Sequence, residues 1–296
     1  MHHRSPTHTF VTARDFTPSQ QSTHSAYKRI THFGRRQHCA PDSHCPKRKT
    51  TLNLLQGKAP KMAYKHEDLS PPLDSTSSPP PLFDGTTRLY VSYTCPFAQR
   101  VWITRNYKGL QDKIKLVPIN LQNRPAWYKE KVYPENKVPS LEHNGKVIGE
   151  SLDLIKYVDS NFEGPSLFPT DSERRKFGEE LITYTDTFTR ALYSSFKGDA
   201  AKEADAQFDY LENALKKFDD GPFFLGQFSL VDIAYIPFVE RFQVFLSEVI
   251  KYDITAGRPK LAAWFEEINK IEAYKVTKTD PKELVEFYKK RFLDQQ

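Results

Sequence analysis

Between Thr87 and Phe162 the chain alternates between two hydrophobic periods, one of two residues and one close to 3.6, and this alternation is its strongest constraint on fold. TRLYVSY (87–93) is β-branched and aromatic and reads as a strand. PFAQRVWITRNYKG (96–109) reads as a helix, with Pro96 in its first turn and Gly109 at its end. KIKLVPINL (113–121) is a second strand, and PAWYKEKV (125–132) a short helix. PSLEHNGKVIG (139–149) is a hairpin turning at Asn144–Gly145, and SLDLIKYVDSNF (151–162) a closing helix. The order βαβαββα predicts an α/β domain with a mixed sheet.

Beyond residue 171 the pattern becomes helical throughout. Phe177, Leu181, Tyr184, Phe188 and Leu192 recur at three- and four-residue steps, as do Phe208, Leu211, Leu215 and Phe218, then Leu261, Trp264, Phe265 and Ile268. These side chains are expected in a core. Ser229 and Asp232 form the Ser-x-x-Asp variant of a helix-start capping box, so Asp232 is read as structural rather than catalytic.

The segment before the alternation has another character. Residues 1–61 carry 11 Lys/Arg against two acids, Asp15 and Asp42, while the rest of the chain has a balance of −3. The arm is rich in Ser and Thr, has no apolar period, and reads as disordered. Two readings fit it: an organelle transit peptide, or translation starting at Met62. Its bases are not interleaved with aromatics, so nucleic-acid binding is not expected. HCAPDSHC (38–45) invites a zinc reading, but the spacing fits no common finger and no second ligand cluster exists, so no metal is expected. Residues 66–84 read as a Pro/Ser linker without packed structure. No stretch approaches the ~18–20 apolar residues of a membrane helix. The expected organisation is an arm and linker over 1–82, an α/β domain over 83–165, and an all-helical domain over 172–296.

Cys95 is the only thiol after residue 45, and it stands at the first strand-to-helix junction. There it faces free N–H groups and the positive end of the helix dipole, an environment expected to lower a thiol pKa. Ala98 occupies the place of the second thiol of a Cys-x-x-Cys pair, so Cys95 cannot release a sulfur adduct by forming its own disulfide. It requires an external small thiol.

CPFAQRVW (95–102), ENKVPSLEHNGKVIGESLDLIKYVD (135–159) and FFLGQFSLVDIAYIPF (223–238) together resemble the glutathione transferases, specifically the plant lambda class, related to the omega and dehydroascorbate-reductase classes. The resemblance implies a thioredoxin-like, glutathione-binding first domain and an all-helical second one. It implies Cys95 as the catalytic thiol and a cis turn at Val138–Pro139, whose backbone pairs with the tripeptide. Glu150 would meet the ligand's ammonium and Ser151 its γ-glutamyl carboxylate. Ser151 is also placed to cap the helix at 151–162. Arg124 and Lys137 are the candidates for the glycyl carboxylate, and Phe97 for shielding the sulfur.

The resemblance further implies glutathione as co-substrate, a small aromatic or glutathionylated acceptor, and a monomer with neither nucleic-acid nor membrane partners. The location would be cytoplasmic, or the plastid stroma if the arm is a transit peptide. The expected activity is glutathione-dependent thiol transfer. The alternatives are dehydroascorbate reduction and non-catalytic carriage of flavonoid-like aromatics. A chloride-intracellular-channel type shares the Cys-Pro-Phe start, but the first domain has no apolar run for a membrane.

Overall fold

The computed structural model describes residues 67–195 and 200–292. The histidine- and cysteine-rich run at 38–45 and the rest of the arm lie outside the described residues.

The first domain holds β1 (Thr87–Val91), α1 (Pro96–Tyr107), β2 (Ile114–Pro118), a single π-helical turn (Tyr128–Val132), β3 (Ser140–His143), β4 (Lys146–Ile148) and α2 (Ser151–Asn161). The strands run in the order β2-β1-β3-β4. β1 is parallel to β2 and antiparallel to β3, which pairs antiparallel with β4 through the Asn144–Gly145 turn. β1 is buried along its whole length, as a central strand covered on both faces should be. The expected short helix at 125–132 is the π turn.

The second domain is helical: α3 (Ser172–Ser195), α4 (Ala200–Leu215), α5 (Leu230–Ile250), α6 (Pro259–Ile268), α7 (Glu272–Lys275) and α8 (Pro281–Phe292). Of the aromatics expected in the core, Phe188, Phe208 and Trp264 are fully buried, whereas Phe177, Tyr184, Phe218 and Phe265 are half-buried and pack against its edge. One apolar cluster runs through both domains, joining Leu89, Val101 and Leu154 of the first to Ile233, Phe238 and Leu261 of the second. The cleft between them is therefore built on a continuous core.

α1 is the element that joins the two halves. From Ala98 to Asn106 every residue is buried, polar ones included. Each of its long polar side chains is tied to a distant element. Gln99 donates to Thr277 O (3.2 Å), Arg105 holds Glu67 with both terminal nitrogens (2.6 and 2.7 Å), and Lys108, the C-cap residue just past the helix, meets Asp159 (3.0 Å).

The Pro/Ser segment differs from its expectation. Residues 67–83 lie against the first domain. Leu73 forms a parallel bridge with Ile119, its N–H donating to Pro118 O at 2.8 Å. Trp127 Nε1 donates to Ser77 O (2.8 Å), Tyr93 Oη to Ser70 O (2.9 Å), and the Phe83 N–H to Glu142 Oε1 (2.7 Å). The segment has no hydrophobic period of its own because it is held by backbone bonds and by the Glu67–Arg105 pair. It is a strap over the outer edge of β2.

Candidate active site

Cys95 is the N-cap residue of α1, with extended backbone and no side-chain cap bond of its own. Pro96 at the first helical position leaves the next amides free, and the Phe97 and Ala98 N–H groups act on the sulfur by favouring its anion. The thiol donates in turn toward Val138 O at 3.8 Å. The electrostatic balance differs from the sequence expectation. Burial is the largest influence and pushes the Cys95 thiol above its ordinary pKa, while the two amides and the guanidinium groups of Arg241 and Arg100 pull it down without prevailing. The helix terminus is present, but desolvation outweighs it. Burial thus holds the thiol's pKa up among groups placed to stabilise its anion.

One cavity of about 360 Å³ opens on the sulfur, and the eight residues singled out in the sequence all line it. The Val138–Pro139 peptide is cis. Phe97 is 41% exposed, its ring edge packed on Phe238 of α5 at 5.1 Å, so it offers an apolar face beside the thiol. Arg124 is exposed, and its guanidinium donates to Leu121 O (3.2 Å) and Asn136 O, which ties two loops at the rim. Lys137 is exposed on the same rim, and its carbonyl accepts from the Tyr128 hydroxyl (2.6 Å).

Ser151 departs from its expected cap role. The residue in the N-cap position of α2 is Glu150, with no side-chain cap bond, and the Ser151 hydroxyl accepts instead from Arg100 Nη1 at 3.0 Å. The amides of the first turn of α2 therefore have no side-chain cap, and they stand beside the cavity. Glu150 holds φ +62°, ψ 112°, a conformation costly for a side chain with a Cβ, by about 1–3 kcal/mol. Glu150→Gly should consequently keep or raise the melting temperature while weakening glutathione binding. Thermal unfolding and calorimetry on the same preparation check both halves, and a variant that binds normally would remove Glu150 from the site.

Sequence reasoning missed two residues of this cavity, Leu121 and Tyr133. Tyr133 carried a signal in hindsight: a Cβ on Gly149 would stand 1.8 Å from its hydroxyl, so the glycine makes room for that ring.

A second cavity, of about 650 Å³, meets the first at Cys95, Phe97 and Leu121. Its walls are Tyr193 of α3, Leu284, Phe287 and Tyr288 of α8, and two guanidinium groups, Arg190 and Arg241. Arg241 is 1% exposed and donates to Thr94 O (3.2 Å) and Pro237 O (2.7 Å), with a further bond to Gln99 Oε1. None of these wall residues was identifiable from periodicity, which gives the helices but not which side chains converge. Asp232, by contrast, is structural as read. It is fully buried in the capping box of α5 and accepts from the Ser229 and Phe224 amides and from Trp264 Nε1. Among the described residues no cluster of three or more His, Cys, Asp or Glu could hold a metal, and no helix is long and apolar enough to cross a membrane.

The comparisons with known proteins agree with this arrangement. A family model described as "Glutathione S-transferase, N-terminal domain" matches residues 89–166, and one described as "Glutathione S-transferase, C-terminal domain" matches 166–267. Glutathione S-transferase L3 of Arabidopsis thaliana is 72% identical over 227 residues, 77% of this chain and 97% of that protein. Glutathione S-transferase L2, chloroplastic, of the same plant is 63% identical over 232 residues, 78% of this chain and 80% of that one. Among solved structures, glutathione transferase Omega 3C from Trametes versicolor superimposes with a TM-score of 0.61 at 26% identity, over 71% of this chain and 91% of that chain. By its motifs, its fold and these relatives, this chain belongs to the glutathione transferases, in their lambda class.

Proposed function

We propose that the protein is a glutathione-dependent thiol transferase in which Cys95 carries the transferred glutathionyl group. The observation that supports this most is the junction of the two cavities at a single sulfur. One cavity has a cis-proline turn, an uncapped helix start, a carboxylate and two cations to receive the tripeptide. The other is mainly apolar and receives the acceptor.

The cycle has two exchanges. The Cys95 thiolate attacks the glutathione sulfur of a mixed disulfide, forming a Cys95–glutathione disulfide and releasing the acceptor as a thiolate. A second glutathione thiolate then attacks the glutathionyl sulfur, giving oxidised glutathione and restoring the Cys95 thiolate. One disulfide is broken and one formed: the acceptor sulfur is reduced to a thiol, the sulfur of the second glutathione is oxidised, and the transferred glutathionyl sulfur stays at the disulfide level throughout. The Cys95 thiol, when protonated, donates toward Val138 O at 3.8 Å. Once the proton leaves, the Phe97 and Ala98 amides and the Arg100 and Arg241 guanidinium groups offset the charge.

In this reading Glu150 takes the ligand's ammonium and Ser151, with the start of α2, its γ-glutamyl carboxylate. The Val138 backbone pairs with the tripeptide as an added strand, beside Pro139. Arg124 and Lys137 take the glycyl carboxylate, and Phe97 covers the sulfur. The chain acts as a monomer. Read from Met1, its basic arm and the relative named chloroplastic support a plastid address, whereas initiation at Met62 would leave it in the cytoplasm. The test is a side-by-side assay of a glutathionylated small thiol, dehydroascorbate and a conjugation electrophile. Turnover should be fastest on the first. Fastest turnover on dehydroascorbate would favour the reductase reading, and turnover on none would favour a carrier.

A further inference from the structure

Arg100 is a buried cation that the cycle uses only at a distance. It is 1% exposed on α1, its Nε donates to Ala234 O of α5 (2.9 Å), and its Nη1 donates to Ser151 Oγ of α2 (3.0 Å). The rings of Phe97 and Phe238 lie 5.6 and 4.6 Å from its guanidinium carbon. Among the described residues no carboxylate forms an ion pair with it, and Asp186 acts on it only through its field. A charge held this way is costly unless something compensates it. Burial accordingly brings the guanidinium down to about 10.

The bond to Ser151 also has a direction. Arginine only donates, so the Ser151 oxygen is the acceptor, and the single hydroxyl proton is left for another partner. Ser151 lines the 360 Å³ cavity, where that partner would be a ligand acceptor. We propose that Arg100 is the positioning residue for the γ-glutamyl α-carboxylate of glutathione. It fixes Ser151 as a donor toward the cavity, and it supplies the positive charge that the incoming carboxylate completes. This rests on the glutathione reading of the cavity and adds a specificity that reading does not contain: discrimination of a free α-carboxylate from its neutral amide.

The test compares the full-length chain's affinity for glutathione and for the analogue whose γ-glutamyl α-carboxylate is a primary amide, by calorimetry. The wild type should prefer glutathione by about tenfold or more, the effect of one charge-assisted bond. Arg100→Met should reduce that preference to about threefold or less, raising the KM for glutathione in thiol exchange more than it lowers kcat. An Arg100→Met variant that keeps the full preference overturns the proposal alone. A wild type that binds neither ligand overturns the glutathione reading and the proposal with it. Because the substitution removes a buried bond to α5, a second readout uses the wild type itself. The Arg100 Nε resonance should shift on adding glutathione and hold still on adding the amide, and equal shifts with both would overturn the proposal.

Discussion

Cys95→Ser should abolish thiol transfer, by on the order of a thousandfold or more, while glutathione affinity changes little. The reason lies in the division of labour at the site. In the proposed reading, binding is spread over Val138, Glu150, Ser151 and the rim cations, which line the cavity and which the substitution leaves untouched, whereas the disulfide intermediate needs a sulfur at one position only. Ala98 supplies no second thiol to take over. The serine hydroxyl would inherit the same place at the start of α1, facing the Phe97 and Ala98 amides. Unlike a thiolate, it can donate a hydrogen bond to the sulfur of bound glutathione. The variant should therefore gain conjugation of an electrophile such as chlorodinitrobenzene. That gain should be modest, because an activated thiolate still has to be aligned with an electrophile in a cavity shaped for another task. Parallel assays of disulfide reduction and conjugation check both halves, and a variant that still reduces mixed disulfides would contradict the assignment of Cys95.

Asp232→Ala should destabilise the fold by about 3–5 kcal/mol and lower the melting temperature by on the order of 10 °C. The carboxylate is fully buried and accepts from the Phe224 amide (3.2 Å), the Ser229 amide (2.8 Å), the Ser229 hydroxyl (2.8 Å) and Trp264 Nε1 (2.8 Å). Removing it strands donors from the preceding loop, from the N-cap of α5 and from α6 together. Its pH signature has a definite sign. Burial raises the folded carboxyl from the ordinary 3.8 to about 6, against the pull of those donors. A raised carboxyl pKa favours the folded state when protonated. This contribution is full below pH ~4 and is lost as pH rises through about 6. Asp232→Asn has no such proton, so the stability difference between wild type and Asn variant should shrink as pH rises across that window, as read by denaturant unfolding at pH 4 and 7. A difference that grows instead would contradict the burial argument.

These effects show where the sequence is legible and where it is not. The order βαβαββα could be read because each element has its own period, and Pro96, Gly109 and Asn144–Gly145 mark its ends. The eight residues lining the 360 Å³ cavity were legible through motifs, since they fall in segments that the fold brings together at loop ends. What escaped depends on partners far away in the chain. The charged residues of α1 and its C-cap look like a solvated face, yet Arg100, Arg105 and Lys108 are buried because Ser151, Glu67 and Asp159 come to meet them. The thiol's environment was half legible. The helix start is local and visible, whereas the burial that outweighs it is made by tertiary packing. The strap over 67–83 was missed because backbone bonds between Leu73 and both Pro118 and Asn120 hold it, and such bonds leave no hydrophobic pattern. For Ser151, spacing suggested a cap, but the positive φ of Glu150 moves the chain into α2 differently and frees the hydroxyl for Arg100.

The most direct measurement of the central claim is intact mass spectrometry of the full-length chain after exposure to oxidised glutathione, with the modified peptide mapped. The account predicts one glutathionyl group per chain within residues 67–292, on Cys95, removed by adding reduced glutathione and never formed there in Cys95→Ser. An unmodified Cys95, or an adduct that glutathione does not release, would contradict it.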